Sequence, residues 1–148
     1  FFQAANSEKL KWENLKHPNV LPFLGTALFE DIFFLVSEFA EYGDIICYLG
    51  MENGPILRLL YEVSDAIKYL HVELQKAHCD IKPDNILVTR TRRALLCDFA
   101  TVKGDGAGSS ANSASQRSAL YLSPECLEDN KTRTTASDMW AFGISIAQ

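Results

Sequence analysis

No apolar run in the sequence approaches the length needed to span a bilayer. The chain opens on Phe1, without the basic and then apolar start of a secretory signal. A Phe in place of Met predicts a cut or processed N-terminus. The four cysteines, Cys47, Cys79, Cys97 and Cys126, form no C-x-x-C pair, which argues against a zinc site or a disulfide framework and for reduced intracellular thiols. Positive charge is scarce: the net charge is −5, which disfavours a nucleic-acid or anionic-membrane partner. There is no internal repeat. What remains is 148 residues, 47% hydrophobic and 22% charged, enough for one modest globular domain. These features predict an intracellular, cytoplasmic protein.

One stretch concentrates polar chemistry. His78-Cys79-Asp80-Ile81-Lys82-Pro83-Asp84-Asn85 places a carboxylate, an ammonium and a carboxamide within six residues. Pro83 blocks a helix through the middle and pushes Lys82 into an extended or turn conformation. Three polar side chains on a short stiff loop can take a proton from a hydroxyl, neutralise phosphate and hold a metal.

The flanking chain reads as mixed α and β. Residues Phe1 to Lys16 have helix-forming composition, with Glu8, Trp12 and Leu15 spaced as one face, and His17-Pro18-Asn19 stops them. Thr26 to Phe29 and Ile32 to Phe39 read as a hairpin turning at Glu30-Asp31. The second strand is almost entirely apolar, which predicts burial on both faces. Ile45 to Leu49 suits a short helical segment, and Asn53-Gly54-Pro55 breaks it. Ile56, Leu59, Leu60, Val63, Ile67 and Leu70 mark an amphipathic helix over 56–71. Ile86 to Val88 and Ala94 to Cys97 are short strands joined by a polar turn. Lys103 to Ser118 is rich in Gly, Ser, Ala and Asn and predicts a mobile loop. Ser137 to Gln148 is an apolar helix reaching the last residue without a C-cap. The fold class is α+β.

Four motifs in order resemble the protein kinase family. His78 to Asn85 is similar to the catalytic loop H-R-D-L-x-x-x-N. Asp98-Phe99-Ala100 resembles D-F-G and follows Asn85 by 98 − 85 = 13 residues. Ser123-Pro124-Glu125 resembles A-P-E, and Asp138 to Gly143 resembles the family's D-x-W-x-F-G helix. Glu8 lies nine residues (17 − 8) before His17-Pro18-Asn19, where the family places its helix C glutamate.

The resemblance implies a protein-kinase-like two-lobe fold of which the chain spans part. Residues 1–37 would be a small-lobe remnant with helix C, 38–43 the hinge, and 44–148 the large lobe through helix F. It implies ATP and Mg²⁺ as cofactors and a protein Ser/Thr hydroxyl as acceptor. Asp80 would accept or orient the hydroxyl proton, its bland alternative being a turn or helix cap. Lys82 would stabilise the transferring phosphoryl group. Asn85 and Asp98 would hold Mg²⁺, though Asp98 also reads as a strand-end turn acid. Glu38 and Ala40 would offer hinge backbone groups to adenine, with Ser37 as an unusually small gatekeeper. Asp44 would sit near the ribose. Leu87 would floor the adenine, or be ordinary core. Glu8 would pair with a strand lysine that the chain lacks, and otherwise is an exposed helix acid. His78 and Phe99 read as structural, stacked with Phe23 and Trp12, and Asp138 as a brace beneath the catalytic loop. Lys82, together with Ser118-Ala119-Leu120-Tyr121, favours a Ser/Thr kinase, and Ser118 would hydrogen-bond Asp80 and Lys82.

Two departures qualify the resemblance. Cys79 replaces an arginine that meets an activation-loop phosphate, so phosphorylation at Ser109, Ser110, Ser113 or Ser115 should matter less. Ala100 replaces a glycine and would slow or lock movement of that motif. The alternative function is a pseudokinase or scaffold that binds nucleotide or partners without phosphotransfer. An unrelated α+β binding domain would require four coincident motifs. The 148-residue chain, lacking the family's Gly-rich loop, is expected to be inactive and poorly stable by itself.

Overall fold

The computed structural model describes residues 2–51, 54–104, 118–129 and 133–148. Five α-helices and six strands alternate irregularly in the described chain: α1 (Phe2–Trp12), β1 (Phe23–Phe29), β2 (Ile32–Ser37), α2 (Ile45–Met51), α3 (Ile56–Lys68), β3 (Lys76–Ala77), β4 (Ile86–Val88), β5 (Ala94–Leu96), β6 (Lys103–Gly104), α4 (Pro124–Asp129) and α5 (Thr135–Ala147). The strands form three two-stranded antiparallel sheets, β1–β2, β3–β6 and β4–β5. This is the expected α+β class.

The core is one cluster. Leu59, Val63 and Ile67 project from α3 onto β5, where Leu95 and Leu96 are equally buried. Glu62 reinforces this contact by accepting the Ala94 N–H at 2.7 Å. The segment after α1 is stitched to the same strand: Leu21 N–H donates to the Leu96 carbonyl at 2.9 Å, and Leu96 N–H to Asn19 at 2.8 Å. Asn19 also donates to the Ala94 carbonyl at 3.0 Å. The Trp12 indole donates to Leu21 at 2.6 Å, fixing α1 over this junction.

The structure corrects several expectations. α1 ends at Trp12, not Lys16. The amphipathic helix stops at Lys68, and Tyr69–Glu73 continues as a wider π-helical turn. β2 is not buried on both faces: Ile32, Phe34 and Val36 are exposed, while Phe33, Leu35 and Ser37 are half-buried. α1 packs against β2, and the alternate side chains face solvent because the sheet has two strands among the described residues. Its turn uses Glu30 and Asp31 at φ 47° and 61°, the paired positive φ that a two-residue hairpin of matching twist requires. α5 starts at Thr135, two residues early, because Thr134 and Ser137 form a reciprocal capping box. The loop expected over Lys103 to Ser118 begins instead with β6, and at 105–117, with its four candidate phosphorylation serines, it lies outside the described residues.

Candidate active site

β3 and β6 pair for two residues, Lys76 with Gly104 and Ala77 with Lys103, and so fix where the polar loop begins. Lys82 is extended, at φ −165° and ψ 162°, as the following proline dictates. Pro83–Asn85 closes a 3-10 turn in which Asn85 N–H donates to the Lys82 carbonyl at 3.0 Å. The turn folds the loop back on itself. The Lys82 ammonium donates to Asp80 Oδ2 at 2.6 Å. The Asn85 carboxamide nitrogen donates to the Asp80 carbonyl at 2.8 Å and to Oδ2 at 3.1 Å. Carboxylate, ammonium and carboxamide therefore converge on one point. With its nitrogen committed to Asp80, Asn85 has its side-chain oxygen left to offer a cation.

Beneath the loop, Asp138 of α5 is 1% exposed. Its carboxylate accepts the N–H of His78 at 2.6 Å, the N–H of Cys79 at 2.8 Å and His71 Nε2 at 2.9 Å. Cys79 holds φ 72°, a left-handed conformation uncommon outside glycine. Such a conformation persists where the surroundings over-determine it. Here Asp138 holds the amide, the Arg133 guanidinium donates to the Cys79 carbonyl, and Thr101 Oγ1 donates to the His78 carbonyl at 2.8 Å.

His78 is fully buried. Its Nδ1 accepts the Asp80 N–H at 3.3 Å, so Nε2 carries the proton and donates to the Cys97 carbonyl at 3.0 Å. A ring that accepts on one nitrogen and donates on the other is neutral. Burial correspondingly pushes its pKa below the ordinary 6.5. Burial also raises the Cys79 and Cys97 thiols to about 12, leaving both protonated at neutral pH.

On the other side of the loop, Cys97 N–H donates to the Asn85 carbonyl at 3.0 Å, which sets Asp98 beside Asn85 in the fold. Asp98 itself holds φ 64°. Glu8 reaches toward Asp98 from α1. Burial, and then the charge of Asp98, raises the Glu8 pKa, with Lys11 opposing. Lys11 donates to the Ala100 carbonyl. Ala100 is not among the residues with positive φ, so an alanine fits there without strain. The aromatic rings form a file: Trp12 lies 5.2 Å from Phe23 and 6.0 Å from Phe99, and Phe99 meets His78 edge-on at 5.4 Å. That file joins α1 and β1 to the 78–85 loop.

Among the described residues no three His, Cys, Asp or Glu side chains gather as a self-sufficient metal cage. Asn85 and Asp98 instead offer a sparse, all-oxygen donor set, which suits Mg²⁺ shared with phosphate oxygens and does not suit zinc.

A family model described as the protein kinase domain matches residues 3–148. The chain belongs to the protein kinase family. It is 33% identical over 135 residues to the serine/threonine-protein kinase RUNKEL of Arabidopsis thaliana, covering 88% of this chain and 10% of that protein. It is 30% identical over 158 residues to mitogen-activated protein kinase kinase kinase 7 of Drosophila melanogaster, covering 97% of this chain and 23% of the relative. It is 33% identical over 173 residues to receptor-interacting serine/threonine-protein kinase 3 of Rattus norvegicus, covering 97% and 34%. The chain thus spans between a tenth and about a third of the length of these kinases.

The remaining residues singled out lie at the end of β2, along the segment that follows it, on β4 and at Ser118. Ser37 Oγ donates to the Glu38 carbonyl at 3.1 Å, and Glu38 N–H to the Pro22 carbonyl at 3.3 Å. The Ala40 carbonyl accepts the Gly43 N–H at 3.1 Å. Asp44 is an N-cap of α2: Oδ1 accepts the Cys47 N–H at 2.8 Å and Oδ2 the Cys47 thiol at 3.4 Å. Leu87 is half-buried on β4, paired with Leu95 and bridged to Asp44. The contact expected from the Ser118 side chain lies outside the described side chains.

Sequence reasoning missed His71, Arg133 and Thr101. His71 sits in a stretch that reads as helix, and the π-helical turn that displaces it has no local signature. Arg133 and Thr101 reach the loop only through tertiary folding. No helix among the described residues is long and apolar enough to cross a membrane.

Proposed function

We propose that this chain carries the catalytic centre of an ATP-dependent protein serine/threonine kinase. The observation that carries the reading is the convergence of Asp80, Lys82 and Asn85, with Lys82 2.6 Å from Asp80. Asp80 orients the acceptor hydroxyl and takes its proton as the oxygen attacks the γ-phosphoryl group of ATP, whose bond to the β,γ-bridging oxygen breaks to release ADP. Phosphoryl transfer has a loose transition state, so positioning matters more than basicity. Lys82 is close enough to Asp80 to neutralise charge on the transferring group at the same point. Asn85 and Asp98 would hold Mg²⁺, which would supply charge neutralisation on the phosphates. Glu38 and Ala40 contribute backbone groups to adenine at the 38–43 hinge, Leu87 packs beneath it, and Asp44 stands on the ribose side. Glu8 needs a cation facing it, and a strand lysine elsewhere in the protein would meet that need. On this reading 1–37 belong to the small lobe and 44–148 to the large lobe.

The acceptor is a protein. A cavity of about 250 Å³ opens beside the catalytic loop between Asp44, Cys47, Pro83, Asp84, Leu120 and Tyr121, where an acceptor segment can lie. The second reading is a pseudokinase: Glu8 meets the charge of Asp98, and the cation that opposes it is Lys11 of its own helix.

The two readings separate in one experiment. The intact protein, given Mg²⁺ and γ-labelled ATP, is expected to label a general protein acceptor on Ser or Thr by phosphoamino-acid analysis. Labelling on Tyr alone refutes the Ser/Thr assignment. Nucleotide binding without transfer refutes the kinase reading and leaves the pseudokinase.

A further inference from the structure

We infer that Lys11 is a positioning residue for Asp98, fastening the turn that carries it to α1. In its catalytic consequence the inference rests on the kinase reading. Lys11 follows Glu8 by three residues, so the two side chains are neighbours on one side of α1. The Lys11 ammonium donates to the Ala100 carbonyl, 89 residues further along the chain. Two carboxylates flank this bond. Glu8 meets the charge of Asp98, and Lys11 opposes that repulsion. One half-buried ammonium therefore serves a carbonyl of the turn and a pair of like charges beside it.

The turn is tied residue by residue, each tie coming from a different place. Phe99 is fully buried, with its ring 6.0 Å from Trp12 and 5.4 Å from His78. Its carbonyl accepts the Val102 N–H at 3.2 Å, which closes the turn. Thr101 Oγ1 donates to the His78 carbonyl at 2.8 Å. Ala100, between them, is held by Lys11. Asp98 stands at the head of the turn with φ 64°, a conformation that persists where its surroundings impose it. Loss of the Lys11 charge removes the donor from Ala100 and leaves the repulsion between Glu8 and Asp98 unopposed from α1. Both changes act in one direction, loosening the turn on the side of Asp98. The hydrogen bonds among Asp80, Lys82 and Asn85 do not involve Lys11 and stay as they are. The consequence falls on the use of Mg²⁺, which Asp98 would help to hold, and not on the 78–85 loop.

The test compares three variants of the intact protein. Lys11→Met keeps length and helix propensity and loses the charge, Lys11→Arg keeps charge and donors, and Lys9→Met removes a charge from the same helix at a residue paired with Glu13. Lys11→Met is expected to raise the Mg²⁺ concentration for half-maximal transfer about threefold to tenfold, the range for one partly exposed hydrogen bond. Hydrogen exchange at the Val102 amide is expected to accelerate, with no change at the Asn85 and Leu96 amides. Lys11→Arg is expected to restore both, and Lys9→Met to change neither. Lys11→Gln, which also loses the charge, serves if the methionine variant does not fold. Unchanged exchange at Val102 in the uncharged variant, equal acceleration in Lys9→Met, or no rescue by Arg overturns the inference. If the wild-type protein transfers no phosphate, the kinase reading falls and the exchange comparison still decides the role of Lys11.

Discussion

His78, Ile81 and Asp138 are at most 1% exposed, whereas Leu28, Phe29 and Ile32 at the tip of the β1–β2 hairpin are 70%, 65% and 57% exposed. The first group surrounds a loop that makes almost no regular secondary structure. The second belongs to a regular ladder with a well-formed turn. Regular hydrogen bonding is thus no guide to which region is fixed in place. The 78–85 loop is held by side chains arriving from α5, from the segment after β5 and from the turn after α3. The hairpin is held by its own backbone and by α1 on one face. The loop can therefore keep Cys79 in an unfavourable backbone state, while the hairpin leaves apolar side chains in water. Rigidity here follows the buried polar anchors, which are costly to disturb because each leaves donors without partners.

The contrast is broken most forcefully at Asp138. Asp138→Ala leaves two amides and an imidazole unsatisfied in the interior and is expected to cost about 3–5 kcal/mol of stability. Urea denaturation of the intact protein measures this, and a loss under 1 kcal/mol, by the usual range for surface changes, would show that the loop is held elsewhere. Phe99→Leu, at the centre of the ring file, is expected to cost about 1–1.5 kcal/mol, read as a shift in the same midpoint.

A smaller effect comes from His78. Its folded pKa lies below 6.5, so between 6.5 and that lower value the unfolded chain binds a proton the folded chain refuses. The associated stability is present above pH 6.5 and is lost as pH falls from there through the folded pKa. Stability measured from pH 7.5 down to 5 should decline, and His78→Asn should flatten the decline. An unchanged slope would mean that another group titrates in that window.

At the hairpin, Leu28→Thr or Ile32→Thr should move stability by no more than about 0.5 kcal/mol, the range for exposed positions. A loss of 2 kcal/mol or more, as for a buried side chain, would show that this face is covered in the intact protein. Thiol reactivity gives the finest test. Cys47 is exposed, whereas the other three cysteines are buried or half-buried. Peptide mapping after brief alkylation at pH 7.5 should find Cys47 modified first and Cys79 last. Early modification of Cys79 would show that the underside of the loop opens.

Much of this organisation was legible in the residues. The His78 to Asn85 stretch carries its own geometry, because Pro83 enforces both the extended Lys82 and the turn that follows. The interval to Asp98 requires a hairpin, and β4–β5 supplies it. α3 was readable from its apolar spacing, since an amphipathic face repeats whatever surrounds it. The structure diverges where tertiary context decides. Nothing local marks the widening at Tyr69–Glu73, because those residues suit an α-helix equally well. β3 and β6 are two residues each and exist only because they pair. The apolar composition of β2 signalled burial on both faces, but composition does not count the elements available to cover it. Arg133 and His71 were invisible because each contributes one hydrogen bond across a long stretch of chain.

The central claim is that the clamped loop performs phosphoryl transfer through Asp80. Its most direct test is single-turnover transfer from Mg·ATP by the intact protein, wild type against Asp80→Asn, with nucleotide affinity measured in parallel. The account predicts measurable transfer to Ser/Thr by the wild type and a loss of at least about a hundredfold in Asp80→Asn, with ATP affinity unchanged. Equal transfer by both proteins, or none by the wild type despite bound Mg·ATP, would contradict it.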